Sequence, residues 1–274
     1  MRAKGAWRCA TVLVVVASSL GAGVPIEAAM LRLDTLAAWD AIVARIEARR
    51  ALEARDGRRF LTTDFASTSE AVEVRRAARR GEVVVSPFAE SDEATTVPSG
   101  MVHHWRGVVF VPGVGVDELI ATVREPGGRR GHHQEDVLES RVLERGPDSL
   151  RLYLKLQRSS IVTVAYNTEH VVRYERIGAG RAASTSRSTH IAEIEGLGTA
   201  AEHERPVGDD RGFLWRLQSY WRYEGADGGV FVELESLTLT RDVPLGLGPV
   251  VRPIVDRVAR ESLARTLRAL RDRF

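Results

Sequence analysis

Cysteine is almost absent. The single one among 274 residues, Cys9, precedes the apolar run at the N-terminus, whereas the acylated cysteine of a lipoprotein follows such a run. Lipidation at that position is not expected. Without Cys9 the chain has no disulfide, no thiol nucleophile and no Cys-ligated zinc, whatever the redox state around it. Lysine is nearly as scarce: Lys4 and Lys155 stand alone, and every other cationic side chain is arginine. No G-x-G-x-x-G or Walker pattern follows a strand, which leaves nucleotide binding without support. No serine sits in a G-x-S-x-G elbow and no H-E-x-x-H pair occurs, so catalysis is unsupported. A repeat of 20 to 50 residues is also missing, which excludes solenoids and propellers.

What is present begins with a tripartite N-terminus: Arg2, Lys4 and Arg8, then an apolar run from Ala10 to Leu20, then small residues. That order is the pattern of a secretory signal, and the run is too short for the ~20 residues that span a bilayer. Residues 1–28 therefore read as a signal peptide, cut after Ala28 or after Ala29, and the mature protein as secreted or periplasmic. The sequence has 39 basic and 37 acidic residues, which become 36 and 36 once Arg2, Lys4, Arg8 and Glu27 leave with the signal. A basic footprint, the first requirement for nucleic-acid binding, is missing from that neutral chain.

The mature chain divides by hydrophobic period. From Leu31 to about Arg55, Leu36, Trp39, Ile42, Val43, Ile46 and Leu52 recur at three- and four-residue steps. They make an amphipathic helix with Asp34 or Thr35 as N-cap. A short helix leading into a strand follows, with Arg75, Arg76, Arg79 and Arg80 as a solvated face, and then an acidic loop. Residues 29–100 thus form an N-terminal helical extension and loop. After Gly100 the period becomes two. Seven strand candidates follow, "MVHHWRGVVFVPG" first and "GGVFVELESLTLT" last, with one short helix, "VGVDELIATVRE", after the first. A long C-terminal helix carries Val251, Val255, Val258, Leu263, Leu267 and Leu270 on one stripe, with Pro253 near its first turn.

Within "GFLWRLQSYWRYEGADGGVFVELESLTLTRD", alternate residues split into an apolar face, with Trp215, Leu217 and Trp221, and a wet one, with Arg216, Tyr220 and Arg222. Joining the two halves through "EGADGG" pairs Trp221 with Val232 and Tyr220 with Glu233. Arg222 then lies diagonal to Glu233, and Arg216 to Glu235, both glutamates facing water. Base-stacking platforms need aromatics beside unneutralised cations. Here the tryptophans lie opposite the arginines, so no nucleic-acid partner is expected.

The order of one strand, a short helix, six antiparallel strands and a long C-terminal helix resembles the START-like (SRPBCC, helix-grip) superfamily, over about Met101 to Phe274. "HHWRG", "GFLWRLQSYWRYE", "GGVFVELESLTLTRDVP" and "RESL" are similar to a family of exported bacterial proteins with that fold, from which no activity transfers. The resemblance implies an α+β helix-grip domain over residues 101–274: a curved antiparallel sheet of about seven strands wrapped on the C-terminal helix, with a cavity or a solid core between. If apolar faces point inward, the ligand-binding set is Trp105, Leu152, Leu154, Val164, Tyr166, Trp215, Leu217, Trp221, Val232, Leu234, Val255 and Val258. The implied function is a non-enzymatic protein that binds a hydrophobic small molecule or lipid and releases it when that helix or the loop Val243 to Val250 swings away. Its rivals are a cyclase-type enzyme using the same cavity and an envelope protein-interaction module.

Histidines add little. The pair in "GHHQED", His132 and His133, lacks metal-ligand spacing, and neither a metal nor another cofactor is expected. His103 shares the face of Trp105 and reads as a structural or a cavity histidine. His190 shares its face with Ser184, Ser186 and Ser188, a polar strip belonging either to the cavity's polar end or to an exposed edge strand.

Overall fold

The computed structural model describes residues 31–88, 96–125, 136–159, 163–206, 208–242 and 248–274. The expected signal peptide, His132 and His133, most of the loop from Val243, and the side chains of Val251 and Val255 lie outside the described residues. Helix α1 spans Leu33–Glu53, a 3-10 turn Thr62–Phe65 and helix α2 Thr68–Arg79. Strands β1 (Val84–Pro87), β2 (Thr96–Val97) and β3 (Gly100–Pro112) follow, then helix α3 (Val116–Val123). Next come β4 (Val137–Arg145), β5 (Ser149–Ser159), β6 (Thr163–Arg176), β7 (Arg181–Glu195), β8 (His203–Glu204), β9 (Arg216–Ala226), β10 (Gly229–Arg241) and helix α4 (Gly248–Arg271).

One antiparallel sheet runs β1-β3-β10-β9-β7-β6-β5-β4, with β2 on β3 and β8 on β7. Long hairpins with Gly-containing turns account for most of the order; the crossover is β10 returning beside β3. Helix α4 lies along one face. Its Leu263, Leu267 and Leu270 join Val109, Val111, Val230, Val232, Leu234, Tyr223 and, from α3, Leu119 in one core. Each such side chain stabilises the fold by about 1.5–3 kcal/mol on burial. The helix approaches closely at Gly107, where an added Cβ would meet Leu267 Cδ1 at 2.5 Å. Pro253 falls within α4, which starts at Gly248, so it sits past the expected first turn.

Over β3, β9 and β10 the outer face is not wet. The N-terminal segment covers it: Trp39, Ile42 and Ile46 of α1 pack on Trp215, Tyr220, Leu237 and Leu239, while Phe60, Leu61 and Ala78 pack on Val108, Phe110 and Phe231. Glu233 and Glu235, expected in water, are 1% and 0% exposed. The Glu233 carboxylate accepts from Thr62 N at 2.6 Å, Thr63 N at 2.9 Å and Thr63 Oγ1 at 2.7 Å, and so holds the 3-10 turn. Glu235 accepts from Arg49 at 2.5 Å and from Arg50 at 3.2 Å, and its Oε1 lies 2.7 Å from His104 Nε2. Arg222, also buried, pairs with Glu53 at 2.7 Å and donates to the Phe60 carbonyl at 2.8 Å. These charges are affordable inside because each meets a partner.

Several local expectations change for the same reason. Leu52 is 64% exposed, because Arg49, Arg50 and Glu53 take the sheet-facing positions of α1. The N-cap of α1 is Arg32 rather than Asp34 or Thr35; Thr35 is buried and donates to the Pro98 carbonyl. Arg75 leaves the solvated face of α2 to bridge Asp64 and Glu224. In the β9–β10 hairpin, Trp221 opposes Leu234 and Tyr220 opposes Glu235. A tight Asp227–Gly228 tip, with Gly228 at φ 80°, replaces the longer "EGADGG" connection. The two-residue shift leaves every side chain on its face. Arg222 therefore stands directly opposite Glu233, and Arg216 opposite Leu239.

Candidate functional site

The face beneath α4 has a solid half and a hollow half. In the solid half, Val109, Val111, Val230 and Val232 meet the C-terminal turns of α4 and helix α3. In the hollow half, the ladder partners become small and hydroxylated. Strand β10 turns Ser236, Thr238 and Thr240 inward, β9 offers Ser219, and α4 offers Ala259, Ser262 and Thr266. A cavity of about 420 Å³ results. That volume falls in the range of small-molecule sites. Its walls are mainly apolar: Trp105 of β3, Leu154 and Leu156 of β5, Val164 and Tyr166 of β6, Leu217 of β9, Leu234 of β10 and Val258 of α4, with Phe213 and Leu214 before β9.

One end is polar. Register sets Leu156 opposite Tyr166 and Arg158 opposite Val164, which gathers the ends of β5 and β6. There Asp136, only 6% exposed, meets Arg158 at 2.7 Å and Arg265 of α4 at 3.3 Å. The Tyr166 hydroxyl is buried and, among the described residues, has no hydrogen-bond partner. Burial, reinforced by the nearby Glu193 carboxylate, raises the phenol's pKa, so the group is a neutral donor across the physiological range. A buried hydroxyl without a partner costs about 1–3 kcal/mol. At another wall, His103 Nε2 lies 3.1 Å from Thr240 Oγ1, with Asp256 of α4 3.6 Å from Nδ1.

Of the residues expected to line a ligand site, Trp105, Leu154, Val164, Tyr166, Leu217, Leu234 and Val258 surround this cavity. Val232 belongs to the solid half, where it is 0% exposed, and Trp221 packs there beside Tyr223 with its ring stacked at 6.2 Å. Leu152 is on β5 but not at the cavity wall. Trp215 sits before the β9 ladder begins, so period two does not govern it. Its indole N–H donates to Asp210 at 3.0 Å and its ring joins the outer cluster around Trp39. The side chain of Val255 lies outside the described residues.

The serine strip is internal, since β7 lies between β9 and β6 and is not an edge. Ser184 and Ser188 are buried, and the Ser184 hydroxyl lies 3.1 Å from that of Tyr223. His190 does not share their face. Ser188 opposes His170 and His190 opposes Glu169, so Thr189 is an extra residue that flips the alternation. Sequence reasoning missed Asp136, Arg158, Ser236, Thr238, Thr240 and Ser262 as cavity residues. The available signal was the "LESLTLT" alternation, whose leucines and hydroxyls exchange faces relative to "VFVEL".

Among the described residues, no group of three or more His, Cys, Asp or Glu could hold a metal ion, and no helix is long and apolar enough to cross a membrane. No family model matches the chain and no curated protein matches it. Solved structures do. A STAR-related lipid transfer protein from Xanthomonas axonopodis is 18% identical, with a TM-score of 0.44 over 69% of this chain and 97% of that one. Human STARD10 is 10% identical, with a TM-score of 0.41 over 79% and 82%. The Zhui aromatase/cyclase from a Streptomyces species is 14% identical, with a TM-score of 0.41 over 62% and 92%. The chain's own geometry carries the architecture: an α+β arrangement in which a long antiparallel sheet packs one face on the C-terminal helix and leaves a cavity between them. It is a helix-grip arrangement.

Proposed function

We propose that this is an exported, non-enzymatic binding protein for a hydrophobic ligand, a lipid, held between the sheet and α4. The observation that carries the reading is the hollow half of the core: about 420 Å³, walled mostly by apolar side chains, in a fold whose other half is solidly packed. Trp105, Leu154, Val164, Leu217, Leu234 and Val258 would contact the apolar part of the ligand. Asp136 and Arg158, at the polar end of the cavity, would meet the ligand's polar group. Burying ten methylenes at about 0.8 kcal/mol each offers ~8 kcal/mol before the costs of association, enough for a micromolar to sub-millimolar site.

Native mass spectrometry of protein purified from the periplasm of its own cells tests the reading. A co-purified lipid, lost on delipidation and regained on adding the lipid back, is the expected result. An apo mass that no added acyl chain, sterol or isoprenoid changes would overturn it. Export has its own check: the mature chain should begin at Ala29 or Met30 on N-terminal sequencing, and an intact Met1 on cytoplasmic protein would contradict it.

A further inference from the structure

On the face opposite the cavity, beside α1, β6, β7 and β9 frame a groove of about 620 Å³. Arg173, Thr185, Arg187, His190, Arg216 and Glu47 of α1 are among the residues that line it. The ladder fixes the arginines on one diagonal. Arg187 opposes Val171 on β6 and Gln218 on β9, so Arg173 and Arg216 each lie two residues away on either side. Diagonal neighbours on one sheet face are ~7–8 Å apart at their backbones, within reach of long side chains.

These three guanidiniums differ from the others on that face. Arg49 and Arg50 meet Glu235, Arg222 meets Glu53, Arg106 meets Glu70, Arg181 meets Glu224 and Arg151 meets Glu169. Among the described residues Arg173, Arg187 and Arg216 have no ion pair; Arg216 donates only to the carbonyl of Trp215, at 2.8 Å. The nearby acids are committed or distant. Glu47 accepts from Gln218 and Tyr220, Glu204 faces His190, and Asp40 touches Arg216 only through its field. Arg216 is half-buried, and burial lowers its pKa, with Arg187 adding to the effect. Three guanidiniums converge here with one lining carboxylate, Glu47, and the field of Asp40, neither of which forms an ion pair with them.

We propose that this groove binds the phosphate group of a small soluble ligand, gripped by Arg173, Arg187 and Arg216 with the Thr185 hydroxyl. Guanidinium forks match phosphate oxygens two at a time, and a doubly charged anion compensates more than one of them. The groove is recessed against α1, which favours a single anionic group over a flat anionic surface. It lies across the sheet from the cavity and is independent of what the cavity holds.

Calorimetric titration of the wild-type protein with inorganic phosphate, in a phosphate-free low-salt buffer, tests this. Saturable one-to-one binding of millimolar affinity or tighter is expected, weakened by added sodium chloride. Arg187→Gln should weaken it about tenfold or more, as loss of a charge-assisted bidentate contact does. Arg151→Gln, whose guanidinium already pairs with Glu169, should not. Thermal unfolding of Arg187→Gln without phosphate should match wild type. Absence of saturable binding, equal loss in both variants, or binding only to phosphatidylglycerol vesicles would overturn the proposal.

Discussion

At the residue scale, the buried carboxylates decide how the molecule is assembled. Glu233 is 1% exposed and accepts from two backbone N–H groups and the Thr63 hydroxyl, so Glu233→Gln sets an amide NH2 against backbone groups that can only donate. Denaturant unfolding should show a loss of about 2–4 kcal/mol, whereas Arg151→Gln at an exposed pair should cost under ~1 kcal/mol. Equal losses would mean that Glu233 is solvated. His170 supplies a pH dependence. Burial lowers its pKa from 6.5 to about 4, so the unfolded chain takes up the proton first. The stabilisation is complete above pH 6.5 and is lost as the pH falls toward 4, about 3 kcal/mol in all. Glu235 acts lower. Burial would raise its pKa, but the His104 hydrogen bond and the Arg49 and Arg50 charges hold it at about 2, so its contribution persists above 4.5 and fades between 4.5 and 2. Unfolding free energies measured across this range should flatten between pH 6.5 and 4 in His170→Gln; an unchanged slope would assign that loss to other groups.

At the scale of elements, period two named the strands but not what covered them. The seven long strands, both terminal helices and the faces within β9 were readable because each has a sustained hydrophobic period. The outer face was not, because "VFVELESLTLT" alternates twice over. Val230, Val232 and Leu234 face α4, whereas Leu237 and Leu239 face α1. Arginines and glutamates suited to water also suit a buried network, and only the α1 contacts distinguish the two. His190 was misassigned for a smaller reason, one extra residue at Thr189. The apolar wall of the candidate site was legible at Trp105, Leu154, Val164, Tyr166, Leu217 and Leu234 on the strands and Val258 on the helix. The cavity itself comes from hydroxyl residues, which read as surface. Gly107 marks where α4 touches the sheet, so Gly107→Ala should displace Leu267 and destabilise by about 1–3 kcal/mol in thermal or chemical unfolding. Wild-type stability in that variant would place the helix farther from β3.

At the scale of the whole molecule, the sheet is covered on both faces by different means. One side carries α1, α2 and the 3-10 turn through paired charges and aromatic contacts; the other carries α4 through aliphatic packing that stops short of the polar end. The stability of the sheet is therefore not staked on filling the cavity, and an occupant can enter without rebuilding the core. Substitutions in the two halves should separate accordingly. Val232→Ala should cost ~2–4 kcal/mol and leave ligand affinity within a few-fold of wild type, because it hollows the solid half. Ser236→Phe should fill the hollow instead. The most direct measurement is the saturable displacement of a fluorescent fatty-acid probe from delipidated protein by unlabelled fatty acid, in wild type and in Ser236→Phe. The account predicts micromolar to sub-millimolar binding in wild type and its loss in Ser236→Phe, with the folded state intact by circular dichroism. Equal binding in both, or none in either, would contradict it.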